Sequence, residues 1–191
     1  MKVTAIGFIY ACLVSTVALF LLGGCGVNAN RLARTMAVES PDLSKPGEFK
    51  CDSFSFKYPG NWQIDMKRHL ANQIYDDMVR IKAGRSPMAS SIDITLFNSP
   101  YSESFAADLV NQVGTAGVPE TDKPAPITWG GIQGLGQKTR LDPGDLVYSY
   151  FFCPASGGKK MLVVHYGGSD DVVSRTQSGF DLIEKTFRMY R

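Results

Sequence analysis

Phe54-Ser55-Phe56-Lys57-Tyr58-Pro59-Gly60-Asn61-Trp62 decides how this 191-residue chain is read. Aromatic residues at 54, 56 and 58 alternate with small or polar ones, Pro59-Gly60 supplies a turn, and Trp62, Ile64 and Met66 resume the period of two. The pattern predicts a β-hairpin. A folded domain is therefore expected to begin at residue 49 and to be built on strands.

Downstream, Val79, Ile81 and Ala83 suggest a short strand and Ile92, Ile94 and Leu96 a clearer one, while 67–77 is polar and ambiguous. Ser99-Pro100 supplies an N-cap with proline at the first helical position, and Glu103 sits in the positive first turn. Phe105, Leu109 and Val113 then recur every four residues, which predicts an amphipathic helix ended by Gly114, Gly117 and Pro119, with a loop to Pro126. Residues 127–129 and 132–141 read as strand interrupted by Gly130-Gly131, and Asp142-Pro143-Gly144-Asp145 as a type II turn. Residues 146–153 and 160–166 are apolar on both faces, so this antiparallel meander should be covered on both sides.

The chain closes on its clearest helix. Ser169 caps it, Asp170 and Asp171 fill the first turn, and Val172, Thr176, Phe180, Ile183 and Phe187 form one stripe. Asp181–Lys185 and Glu184–Arg188 are spaced to pair on its outer side.

Upstream of residue 49 the chemistry changes twice. Residues 1–24 have a basic start at Lys2, an apolar run over 3–22 and small residues at Gly23-Gly24, the three parts of an export signal. The apolar run is also long enough to span a bilayer, which makes an uncleaved anchor the competing reading. Residues 25–48 mix small, polar, Pro and Gly residues and read as a flexible tether, with a reach of roughly 25 Å.

Leu22-Gly23-Gly24-Cys25 resembles the bacterial lipobox. The resemblance implies a thiol at Cys25 carrying diacylglycerol, cleavage before it, and stable anchoring by two or three acyl chains. Gly26, rather than Asp, resembles the pattern sent to the outer membrane, facing the periplasm. The stretch from Phe54 to Trp62 resembles the signature of the PsbP-like superfamily, which includes DcrB-like envelope lipoproteins. A mid-chain strand running through glycine into 137–141 and a final helix ending in Phe187 fit the same pattern. That resemblance covers residues 49–191 and implies an α+β fold: an antiparallel β-sheet covered by helices in an α/β/α sandwich, generally used for binding rather than catalysis. The Cys51/Cys153 pair and the long tether are not part of it.

Composition bounds the rest. The leader holds one of the 20 basic residues and none of the 18 acidic ones, so the remainder is nearly neutral and offers no patch for nucleic acid. Cys51 and Cys153 are the two cysteines expected within the folded domain, and in an exported chain they suggest one disulfide. Closing that loop would stabilise the fold by roughly 4–5 kcal/mol in the chain-entropy model, and by about 2–4 in most measured cases. Two separate buried thiols are the alternative.

No catalytic, cofactor or metal motif is legible. His69 reads as solvated, His165 as a sheet histidine, and neither has a partner at metal spacing. Gly131-Ile132-Gln133-Gly134-Leu135-Gly136 runs into a strand and lacks a phosphate-loop lysine. Asp76-Asp77, Asp142/Asp145 and Asp170-Asp171 read as structural carboxylates. The expected function is a lipid-anchored, non-enzymatic binding or assembly module with a protein partner. The alternative is a periplasmic enzyme or small-ligand carrier using a pocket between sheet and helix.

Overall fold

A computed structural model of the chain describes residues 38–69, 75–84, 89–98, 102, 104, 120–121, 123–140, 147–154 and 159–190. These residues belong to one compact unit, Arg34–Arg191. The strands are β1 (Gly47–Lys50), β2 (Phe54–Tyr58), β3 (Gln63–His69), β4 (Tyr75–Lys82), β5 (Ser91–Phe97), β6 (Glu120–Thr121), β7 (Ala125–Trp129), β8 (Ile132–Arg140), β9 (Val147–Pro154), β10 (Lys160–Tyr166) and β11 (Arg188–Met189). Helix α1 (Asp170–Thr186) lies between the last two.

The expected hairpin does not form, although both of its strands do. β2 pairs with β1 on one side and β11 on the other, in a three-stranded antiparallel sheet. β3 instead begins an eight-stranded sheet ordered β3-β4-β5-β10-β9-β8-β6, with β7 paired to β8. The chain changes sheets at Pro59-Gly60 because the next aromatic is needed inside. The Trp62 amide donates to the Pro59 carbonyl at 3.0 Å in a tight turn, and the indole is buried against Phe180, with ring centroids 4.7 Å apart. Proline also lacks the N–H that a continuing ladder would use. A two-residue turn and a buried Trp62 cannot both be satisfied within one flat hairpin.

The α/β/α sandwich is overturned. Among the described residues α1 is the one helix seen along its length, and the architecture is dominated by strands. One face of the eight-stranded sheet (Val79, Ile81, Ile92, Ile94, Leu96, Met161, Val163) shares a single core with Phe49, Phe54 and Phe56 of the small sheet and with Val172, Phe180, Ile183 and Phe187 of the helical segment. The small aromatic sheet thus takes up core surface that the sandwich gives to helices. Of the helix expected from residue 99 only Ser102 and Ser104 are described, Ser104 in helical conformation, and the turn at 142–145 lies outside the described residues.

The meander and the last helix follow the sequence closely. β8, β9 and β10 pair antiparallel in order, and β10 is buried on both faces, with Met161 and Val163 on one and Leu162 and Val164 on the other. On that second face Arg80 clamps Asp93 through two hydrogen bonds of 2.7 and 2.6 Å. Val172, Thr176, Phe180 and Ile183 are buried along α1, whose first turn carries Asp170 and Asp171. The two expected surface pairs are not made. Asp181 accepts from Gln177 at 2.7 Å, and the Arg188 guanidinium turns back to the carbonyls of Lys185 and Phe187.

Residues 38–46, expected to end the tether, lie against the domain. Val38 is buried, the Glu39 amide donates to the Ala83 carbonyl, and the Gly60 amide to that of Asp42.

Gly130 and Gly131, read as a break within strand, are the two central residues of the β7–β8 hairpin. Both have positive φ, 56° and 80°, as the primed turns require. A Cβ on Gly131 would meet nothing within 4 Å, so replacement there tests backbone conformation alone. Gly131→Ala should cost about 1 kcal/mol in urea unfolding, and Gly131→Asn clearly less, since Asn tolerates the left-handed region. Equal effects would mean that side-chain volume, and not φ, matters at this turn.

Candidate functional site

Successive side chains of a regular strand point to opposite faces, so Asp76 and Asp77 should diverge. They do not, because β4 carries a register shift between Tyr75 and Met78 against β5. Such a bulge inserts an extra residue and re-aims side chains. Ser53, in the β1–β2 turn, therefore faces both carboxylates: its Oγ donates to Asp77 Oδ2 and lies 3.4 Å from Asp76 Oδ2.

Three further side chains close on the pair. His69, the last residue of β3, stands opposite Asp77 in register, with Nδ1 2.9 Å from Asp77 Oδ1. Lys159, just before β10, donates from Nζ to Asp76 Oδ2 at 2.6 Å. Cys51 donates its thiol to the Phe54 carbonyl at 3.4 Å, and the Asp77 carboxylate is near enough to act on it electrostatically. A ring nitrogen of His69 and one oxygen each from Asp76 and Asp77 lie within 4.8 Å of one another. The carboxylates are sunk, with side chains 12% and 5% exposed, and the imidazole at the rim is 55% exposed.

The electrostatics follow from that layout. Burial pushes the Asp77 carboxyl up, but hydrogen bonds from Ser53 and His69 together with the His69 charge outweigh it, leaving the group below its ordinary value. The hydrogen bond to Asp77, reinforced by its charge, raises the pKa of His69. Burial raises the Cys51 thiol, and the Asp77 carboxylate adds to that. Ser53 gives its proton to a carboxylate that is a weak base at neutral pH, and not to the imidazole. The arrangement is suited to holding a cation, not to activating a nucleophile.

The remaining sequence candidates are placed elsewhere or lie outside the described residues. Cys51 is a free cysteine, so the expected bridge to Cys153 is not made in this structure. Cys153 stands opposite Met161 on β9, and its side chain lies outside the described residues, as does Cys25. His165 packs on Phe180, with ring centroids 3.9 Å apart, and its Nε2 is buried without a hydrogen-bond partner. Asp170 and Asp171 serve the first turn of α1.

Ser53 and Lys159 were not legible as site residues. The available signal was Asp76-Asp77 itself, two adjacent charges where the alternation that Val79 and Ile81 obey should have placed one apolar side chain. In comparison with known proteins, the chain matches no family model and no curated protein sequence.

Proposed function

We propose that this chain is a bacterial lipoprotein, anchored in the cell envelope by acyl chains on Cys25, whose domain is a non-enzymatic binding or assembly module for a protein partner in a membrane-associated complex. The observation that carries the reading is Leu22-Gly23-Gly24-Cys25 behind an apolar run. Gly26 supports the outer membrane as its destination, facing the periplasm.

Two features of the domain support a binding role. Among the described residues β3 pairs on one side only and is exposed along nearly all of its length, as an edge able to accept a partner strand would be. His165, which would have favoured the enzymatic alternative if held in a cleft with a carboxylate, packs against an aromatic ring, and its buried Nε2 has no hydrogen-bond partner. The PsbP-like resemblance adds little here, because the sandwich it implies is not the fold observed. Among the described residues no helix is long and apolar enough to cross a membrane, and the apolar run over 3–22 lies outside them.

Replacing Cys25 with Ser should abolish metabolic labelling by fatty acids and leave the precursor unprocessed. A Cys25→Ser protein that is still labelled and shortened ends the lipoprotein reading.

A further inference from the structure

We propose that His69, Asp76 and Asp77, with Cys51 as fourth donor, form a binding site for a zinc-type transition-metal dication, which Lys159 occupies with its ammonium when the metal is absent. The site goes beyond the anchoring and binding role above and does not depend on it.

The donor set selects the class of ion. Calcium and magnesium are held by shells of six or more oxygens, whereas an imidazole, a thiol and two carboxylates are the ligands of zinc and its neighbours. Tetrahedral bonds of about 2.0–2.3 Å place donors roughly 3.3–3.8 Å apart. The three oxygen and nitrogen donors already lie within 4.8 Å, and one pair is at 2.9 Å. The exposed imidazole is the freest of these three to adjust, and Cys51 Sγ, which lies outside that close set, must turn from the Phe54 carbonyl to complete it.

The charges are arranged for exchange. Two sunken carboxylates at one bulge need a positive counterpart, and Lys159 and His69 supply it from two directions. The Lys159 side chain is 35% exposed on a flexible stem, so its ammonium can withdraw to water when a dication takes Asp76. Ser53 keeps its hydrogen bond to Asp77 and orients that carboxylate from behind, as a supporting partner of a metal ligand does. The donors come from the β1–β2 turn of the small sheet and from β3 and β4 of the large one, so a bound ion joins the two sheets.

The test uses the purified full-length lipoprotein in detergent, titrated with zinc chloride and separately with cobalt chloride. The wild type should bind one zinc per chain with a rise in melting temperature. Lys159→Ala should bind at least tenfold more tightly, and His69→Ala and Asp77→Asn at least tenfold more weakly. The cobalt adduct should show a thiolate charge-transfer band that Cys51→Ser removes. His69 is exposed, so its variant reports on binding even if Asp77→Asn perturbs the fold. Absence of binding in both wild type and Lys159→Ala overturns the proposal, as does zinc affinity indifferent to His69→Ala. A cobalt adduct without the thiolate band removes Cys51 from the ligand set. None of these readouts depends on fatty-acid attachment, so failure here leaves the lipoprotein reading untouched, and the reverse also holds.

Discussion

Phe54→Ala should destabilise the domain by about 3–5 kcal/mol, the loss typical of a fully buried aromatic truncated to alanine. Phe54 is 0% exposed on the central strand of the small sheet. Its ring lies 5.7 Å from that of Phe49, 6.2 Å from Phe56 and 5.6 Å from Phe187. Each neighbour is fixed by its own backbone pairing or by the helix end, so none can move in to fill the space. The cavity term therefore adds to the transfer term, which places the site at the costly end of the range. With total stabilities of about 5–15 kcal/mol, a loss of this size lowers the melting temperature by about 10 °C or more. Urea unfolding followed by circular dichroism measures it. Ile127→Ala, at a 39% exposed position, is the control and should change little. A Phe54→Ala penalty under about 1 kcal/mol would mean that the aromatic cluster is not the core of the small sheet.

Stability should fall steeply in mild acid, with His165 as a principal cause. Burial lowers its pKa from 6.5 to about 4. Asp181 on α1 works against that shift and Lys138 on β8 with it. The sign follows from proton counting. Between pH 6.5 and 4 the unfolded chain binds a proton at this histidine that the folded chain refuses. The stabilisation is therefore complete above pH 6.5, is lost as pH falls toward 4, and levels off below. At 1.36 kcal/mol per unit the loss is about 3 kcal/mol. His165→Phe keeps an aromatic ring against Phe180 and removes the titration, so its unfolding free energy should vary less with pH across that window. His69 has a raised pKa and contributes in the opposite sense, so the difference between wild type and His165→Phe isolates the buried group. Parallel pH profiles for the two proteins would refute the assignment.

Individual elements were far more legible in the sequence than their partners. The strands at 54–58, 79–82 and 91–97 and the helix from Asp170 announce themselves by period, because half-burial imposes period two and a helical core stripe imposes intervals of three and four, and the strand at 160–166 by an apolar run buried on both faces. Pairing is a different quantity, set by which buried side chain must reach which neighbour. Nothing local to Tyr58-Pro59-Gly60 says that Trp62 belongs beside Phe180, 118 positions further on, and so a change of sheet looked like a hairpin. The site failed to show for the same reason. Ser53, His69, Asp76, Asp77 and Lys159 come from four segments, and the bulge that turns Asp76 beside Asp77 is a property of β4 against β5. Gly130-Gly131 was nearer to being legible, since two consecutive glycines suit the positive φ angles of a primed turn.

The small sheet is completed by Arg188–Met189, which pair with Phe54–Ser55, and by the Tyr190 amide, which donates to the Ser53 carbonyl at 2.9 Å. The first strands of the domain therefore wait for residues that the chain supplies only after every other strand and the helix. In any process that delivers the polypeptide amino end first, whether synthesis or threading through a membrane pore, Phe54 and Phe56 have no β11 and no Phe187 to close over them until those residues have emerged. Closure of the small sheet is thereby postponed until the rest of the domain has been delivered, and a chain cut just before Arg188 would arrive with its aromatic sheet unfinished.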